Sequence, residues 1–469
     1  MNKIIVLLIF LCSLFLYLIA PHTESRAFCI ICLVFFSIGA YFLIKVDLKS
    51  GLYVSFNVLF LLSFFLTTFA YPVFVRGTPA DILAWQRLKV IDFDYLPRTI
   101  ALCLVAISAY FVGYINVVNE RKILTYKDKI TIRNTHGSGV TNVVKYLYYL
   151  VFVVLLVSSL FFIRAGGSVS MSSDATLISL FQILFGVVLL LGTTKWTVSK
   201  LSSYVKSNFT FLSLCVIMML VFTYIGDRGL ILSCGLIILF VYNAYVKRMR
   251  LWTILGFLLV GVVFMFTIRQ TRNTNSLASS SSVSSYVTNA SDIIDRSIIE
   301  YGPWYFLADL TNIYQELCVG YEYSEKHDLL YPGEQILMTI AYPFPFLPTI
   351  VASAFNKTTS DYVPGSALNR YVSDTIEAHY GSHCVIDIYI TWGLLGVLLI
   401  FYLFGSFVGR VYNNLYDNVF YAAIYVLLMS YAIYIPRNRV VSLIRPILYT
   451  VLFVWLNKKQ SRNRIISRK

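Results

Sequence analysis

Charged residues are scarce in this chain: only 13% of its 469 residues are Asp, Glu, Lys or Arg, about half the share usual in soluble domains. Acids are the scarcer sign, 23 against 38 Lys and Arg, which leaves a net charge of +15. Several signature motifs are missing too. The chain has no G-x-x-x-x-G-K-[ST] loop, no G-x-G-x-x-G after a strand, no H-E-x-x-H and no G-x-S-x-G. ATP, dinucleotide, zinc-hydrolase and serine-hydrolase chemistry are therefore without a motif, and the grouping His379, His383, Cys384 lacks a metal-ligand spacing. No cofactor is expected. Cysteine is sparse outside apolar sequence, because Cys12, Cys29, Cys32, Cys103, Cys215 and Cys234 all lie in apolar stretches. The C-x-x-C of Cys29 and Cys32 reads as packing. Cys318 and Cys384 share one polar segment, and their pairing stays open if that space is oxidising.

What the chain has in abundance is hydrophobic residues, 58% of the total. Twelve apolar stretches of roughly 17–25 residues can be marked, each long enough to cross a bilayer as a helix. They are 3–20, 27–45, 52–73, 98–118, 144–163, 175–193, 208–225, 230–246, 251–269, 385–408, 418–435 and 440–457. The first is longer than the core of a secretory signal and lacks a small-x-small cleavage site before Pro21, so it is read as a helix. With Met1 in the cytoplasm, the inside segments hold 14 Lys, 8 Arg and 4 acids, and the outside segments 13 Arg, 3 Lys and 19 acids. That orientation obeys the positive-inside rule throughout and puts both termini in the cytoplasm. The basic residues flank apolar spans in short loops, so they signal orientation, and no nucleic acid is implied. The expected fold is an all-α polytopic membrane protein with about 12 transmembrane helices and one large, partly helical periplasmic loop.

Three regions follow: helices 1–9 in residues 1–269, the loop 270–384 as a cap, and helices 10–12 with a basic tail in 385–469. The cap opens on a Ser-rich run, eight serines between Ser276 and Ser291, which reads as a flexible linker. Its segment Tyr342-Pro343-Phe344-Pro345-Phe346-Leu347-Pro348 forbids a helix interior, and the aromatics suit a membrane interface. No repeat of 20–50 residues is apparent, and two matching halves of six spans cannot be drawn, which argues against a repeat-built transporter.

Candidate chemistry gathers at the outer face. Gly226-Asp227-Arg228-Gly229 joins two spans so tightly that Arg228 is either closed onto Asp227 or held rigidly to grip an anion. Arg269 and Arg272 stand where the ninth span leaves the membrane, and Arg437 and Arg439 in the external turn before the twelfth, with Arg445-Pro446 just inside it. Singly, each suits a snorkelling helix end. Together they make a set of guanidinium groups, and arginine grips phosphate oxygens through two bonds where lysine is a point charge. Glu377, His379 and His383 close the cap ahead of Asp387, Tyr389 and Gly393-Leu394-Leu395-Gly396. An imidazole there suits acceptance of a hydroxyl proton, while His327 reads as an ordinary surface histidine.

On these residues the chain resembles bacterial O-antigen polymerases, the Wzy-type oligosaccharide repeat-unit polymerases, and more distantly the O-antigen ligases. The resemblance lies in the architecture and in two places. Tyr224-Ile225-Gly226-Asp227-Arg228-Gly229-Leu230 is similar to the family's Gly/Ser-x-Arg hairpin. His383-Cys384-Val385-Ile386-Asp387-Ile388-Tyr389, with Gly393-x-x-Gly396, is similar to its His-Asn segment ending in a G-x-x-G span. Cys384 stands where ligases have Asn, and the His-to-Gly interval is one residue shorter. The resemblance implies polymerisation of undecaprenyl-diphosphate-linked oligosaccharides at the periplasmic face of the bacterial inner membrane, with a chain-length regulator protein as partner. It implies Arg228, Arg269 and Arg272 on the diphosphate, Arg437 and Arg439 in support, and His383, or else His379 or Glu377, as base. A flippase-like transporter and a glycan ligase are the alternatives.

Overall fold

A computed structural model describes residues 2–49, 51–79, 81, 93–119, 140–164, 175–193, 201–225, 229–247, 249–250, 252–253, 256, 261, 299–300, 313–344, 346–372 and 383–466. Among the described residues there is no strand. The main helices are α1 (Asn2–Leu18), α2 (Arg26–Lys49), α3 (Phe56–Thr68), α4 (Leu96–Val117), α5 (Asn142–Arg164), α6 (Ala175–Thr193), α7 (Leu201–Ile225) and α8 (Gly229–Tyr245). Four short helices follow, α9 (Tyr314–Lys326), α10 (Pro332–Ala341), α11 (Leu347–Ala354) and α12 (Pro364–Val372). Then come α13 (Cys384–Asn413), α14 (Val419–Tyr431) and α15 (Ile444–Ile466).

Among the described residues, five helical segments are long and apolar enough to cross a membrane: Arg26–Lys49, Phe93–Val117, Asn142–Phe161, Cys384–Asn413 and Val440–Ser461. Six shorter apolar helices occupy the places of six further expected spans, and the expected ninth, 251–269, lies largely outside the described residues. The architecture is that of an all-α membrane protein. One short span has a visible cause. Residues 52–73 were expected to be a single helix, but α3 ends at Thr68 and the chain continues through a π-turn, Tyr71–Val75, with Pro72 inside it. Proline has no N–H to continue the α ladder.

Two helices organise the packing. α4 is buried against α13, α1 and α2, and α6 against α5, α7, α8, α14 and α15. At the α4–α13 crossing the two backbones approach closely. A Cβ on Gly113 would collide with the Tyr402 carbonyl, one on Gly405 with the Tyr110 carbonyl, and Ser406 Oγ donates to the Gly113 carbonyl (3.2 Å). Gly405 and Gly409 form a G-x-x-x-G on α13, a pattern that lets helix backbones touch where hydrophobicity supplies no drive between helices.

At one end of this group Asp47 is fully buried. Ser55 Oγ (2.5 Å) and Asn57 Nδ2 (3.0 Å) donate to its Oδ2, and Tyr114 OH (2.9 Å) to its Oδ1, while Tyr110 OH donates to Asn57 Oδ1 (2.5 Å). A carboxylate is tolerated in such surroundings only with donors of this kind. Helix α2 runs on to Lys49, past the expected end of the second span at residue 45, and so carries Asp47 on its last turn. Asp47 ties α2, the start of α3 and α4 together.

Hydrogen bonds tie helix ends to one another on the side of the bundle away from α9–α12. Lys49, Thr141, Asn413, Asn457 and Lys459 lie at one face, where Thr141 N–H donates to Asn457 Oδ1 (2.8 Å) and Asn413 Nδ2 to the Val117 carbonyl (2.7 Å). The short helices α9–α12 sit over the other, the cap face.

Candidate functional site

Helix α13 is broken near the cap face. Gly393 has φ 66° and ψ −165°, a region open essentially to glycine alone. The break leaves a first segment, residues 384–392, set at its own angle to the rest. Helix breaks free backbone carbonyls that must find partners, and here the cap supplies one: Leu330 N–H donates to the Ile390 carbonyl (3.0 Å). Trp392 Nε1 donates to the Pro332 carbonyl (3.1 Å). The first glycine of the G-x-x-G is thus a helix break, with residues 330–332 fastened to the segment ahead of it.

On the first segment sits Asp387, only 4% exposed, with Arg439 Nε 3.3 Å from its Oδ2. Asp387 is in the first helical turn, where the helix dipole favours an anion. Arg439 follows the 3₁₀ turn Ile435–Arg437, and its side chain stays 23% exposed. The expected external arginine turn and the expected Asp387 are therefore brought together, across about fifty residues of sequence. Arg437 is exposed on the same turn. Ser63 Oγ (2.6 Å) holds the chain ahead of the turn at the Ile433 carbonyl, and Tyr434 OH reaches the Gly229 carbonyl at the start of α8 (3.4 Å). Arg228 itself lies outside the described residues, as do Arg269, Arg272, Glu377 and His379.

His383 has different surroundings from those expected of a base. It is wholly buried and is the N-cap of α13: its Nδ1 accepts the Val385 N–H (3.3 Å). With Nδ1 accepting, the neutral ring carries its proton on Nε2, which faces Thr68 Oγ1 at 3.3 Å. Phe64 packs on the ring. Both nitrogens have partners within the protein, so His383 pins the start of α13 to the end of α3. Burial pushes its pKa from 6.5 down to about 3, because a charged imidazolium would have to be desolvated. The unfolded chain therefore binds the extra proton between those two pH values, and stability falls as pH drops through that window. From pH 6.5 to 5 the loss is about 2 kcal/mol. His383→Asn keeps a cap that cannot ionise; its melting temperature in detergent is expected to fall less than the parent's between pH 7.5 and 5, and parallel melting curves would remove this assignment.

Cys318 and Cys384 are both buried free thiols, so the pairing left open by the sequence is not formed. Beside the site, Tyr389 stacks on Tyr321 of α9 (ring centroids 5.5 Å apart, 6° between planes), and Tyr17 OH meets Tyr389 OH at 3.0 Å. His327 stacks on Tyr323 at 4.4 Å. These ring contacts join α1, α9 and α13 at the cap face. Nothing in the apolar patterning of single segments announces the Tyr17–Tyr389–Tyr321 contact, since its three tyrosines come from three different helices.

The arrangement sets a partly open guanidinium in ion-pair contact, 3.3 Å, with a buried carboxylate, on the rim of a membrane helix bundle. Neither a curated protein nor a solved structure matches the chain. A family model described as O-antigen polysaccharide polymerase Wzy matches residues 2–461, from the first turn of α1 into the last of α15. With that match over nearly its whole length, the chain belongs to the O-antigen polysaccharide polymerase Wzy family.

Proposed function

We propose that the protein extends a surface polysaccharide by moving a growing glycan from undecaprenyl diphosphate to a hydroxyl of another lipid-linked repeat unit, at the outer face of the inner membrane. The observation that carries this reading is the Arg439–Asp387 pair at the broken end of α13, in a chain of this family. In the reaction, the acceptor oxygen bonds to the anomeric carbon of the donor glycan. The bond from that carbon to the diphosphate oxygen breaks, its electron pair leaves with the diphosphate, and the hydroxyl proton passes to a base. Activation resides in the glycosyl–diphosphate bond, so no nucleotide is needed.

Arg439 meets the leaving diphosphate, with Arg437, Arg228, Arg269 and Arg272 as further ligands; cationic groups aimed at developing charge are the larger part of such catalysis. Asp387 positions Arg439. The base is His379 or Glu377, a few residues ahead of the anchored His383. Lys45, Lys49, Lys247, Lys458 and Lys459 at the opposite face support a cytoplasmic placement there, which leaves the cap outside. A chain-length regulator protein is the partner included in this reading.

Deleting the gene is expected to leave single repeat units on the lipopolysaccharide core, and Arg228→Ala should do the same in a complemented strain. A gel of surface glycan reads both. Loss of every repeat unit from the core would point to a ligase or a flippase and overturn the polymerase reading. A normal ladder in Arg228→Ala would remove Arg228.

A further inference from the structure

Helices α10 and α11 pack on each other as a hairpin with two unlike sides. The polar side is closed within the cap. Gln335, buried, donates from Nε2 to the Tyr362 carbonyl (2.6 Å), and Lys357 Nζ meets both oxygens of Glu334 (2.9 and 2.7 Å). Met338, Ala352 and Tyr362 fill a small core beneath. The other side is apolar and open: Ile336, Leu337, Ile340, Phe344, Phe346 and Ile350 are all exposed, Phe346 by 83% and Ile340 by 63%. An exposed patch of this kind marks an interaction surface.

Two further observations say what covers it. The first is level. Arg445 Nε donates to the Tyr342 carbonyl (2.8 Å) and its guanidinium lies over the Tyr342 ring (4.3 Å), while Tyr449 OH donates to the Pro343 carbonyl (3.1 Å). Both donors belong to the first turns of α15, within the membrane-length segment Val440–Ser461. Tyr449 is five residues into α15, about 7 Å along its axis, so the hairpin tip lies beside a span and below its end. The other end of the hairpin hangs on α13 through the Trp392 and Leu330 hydrogen bonds. The second is continuity. Next to these anchors the spans themselves present exposed Leu395 and Leu399 on α13 and Leu448 and Leu452 on α15, the side chains that face lipid in a membrane-spanning bundle. The hairpin is anchored beside these leucine-bearing segments of α13 and α15.

Backbone conformation fits the same occupant. Tyr331 and Phe346, immediately before α10 and α11, have φ of 48° and 65°, a left-handed region that costs free energy for residues with a Cβ. Phe346 combines that conformation with an aromatic ring left 83% exposed, a surface that an apolar phase favours and water does not.

We infer that residues 332–354 form an in-plane hairpin whose apolar face is immersed in the acyl chains of the lipid leaflet on the cap side. Amphipathic helices lie in this way, sunk about 5–10 Å at the boundary of headgroups and chains. The inference stands apart from the reaction proposed above, since it concerns bulk lipid.

The test uses the full chain in lipid nanodiscs, with an environment-sensitive fluorophore on Phe346→Cys and, as a control on the polar side, on Ser360→Cys, corrected for labelling of the parent's own cysteines. At position 346 the emission should shift to the blue, with several-fold stronger quenching by nitroxide-bearing phospholipids than at 360, and with little quenching by iodide. Equal iodide quenching at the two positions would overturn the inference. Protection at 346 from both quenchers would also overturn it, because a protein or a second copy would then be the cover. Ile350→Cys reads the same face should Phe346→Cys fail to accumulate. Normal glycan chains in a strain whose hairpin is shown to be in water would sink this inference and leave the proposed reaction standing.

Discussion

Arg439→Ala is expected to leave only single repeat units on the surface glycan, and Arg439→Lys to restore little of the ladder. The guanidinium is 3.3 Å from Asp387 through Nε, with its side chain still partly open on the cap face. Lysine carries the same charge but offers no planar fork, so it cannot hold Asp387 at one edge and an anion at another. Loss of one preorganised charge-stabilising donor costs on the order of 10²–10³ in rate. The single variant carries a second effect. Asp387 is buried, and breaking a buried pair by removing one partner destabilises by about 3–5 kcal/mol at most sites studied. The double variant Arg439→Ala/Asp387→Asn separates the two effects, since the amide relieves the buried charge. Its melting temperature should recover toward the parent's while the glycan stays at one repeat unit. A ladder restored along with stability would make the pair a structural strut and remove Arg439 from the reaction.

How much of this was legible beforehand differs from residue to residue. Apolar run length marked the apolar helices, because a lipid-facing helix needs that length whatever its neighbours. Arg439 and Asp387 were each marked by their position at a span end. Their contact was not, because it joins two elements about fifty residues apart. His383 stood out by type and place, yet the ring serves as a helix cap; chemistry-bearing residue types do not reveal their burial. Asp47 escaped because hydropathy reads any carboxylate as a boundary, whereas Ser55, Asn57 and Tyr114 bring donors to it from two other elements. Gly393 was marked within a pattern, but only its φ of 66° shows that the pattern is a break. Gly405 passed as one more small residue in an apolar run, for the same reason: nothing local tells which face of a span meets another backbone.

Gly405 accordingly gives the sharpest stability contrast. Alanine at position 405 is expected to remove most folded protein from the membrane, and alanine at position 235 to change nothing or to help slightly. Both glycines lie within helices, α13 and α8. The intrinsic effect of the substitution favours alanine by about 0.8–1 kcal/mol in each. What differs is the space. A Cβ at Gly235 meets nothing within 4 Å, whereas one at Gly405 runs into the carbonyl of Tyr110, a backbone atom of α4 that no rotamer change can move aside. The reciprocal collision of Gly113 with the Tyr402 carbonyl lies in the same crossing, so the two helices must part for either methyl to fit. Overpacking of this sort costs about 1–3 kcal/mol or more, and it falls on the largest interface of the bundle, on the helix that also carries Asp387. Membrane yield and the melting temperature in detergent measure it directly. If Gly405→Ala accumulates and melts like the parent, the α4–α13 backbones are not in contact, and the first segment of α13 has lost the fixed support from which Asp387 is held against Arg439.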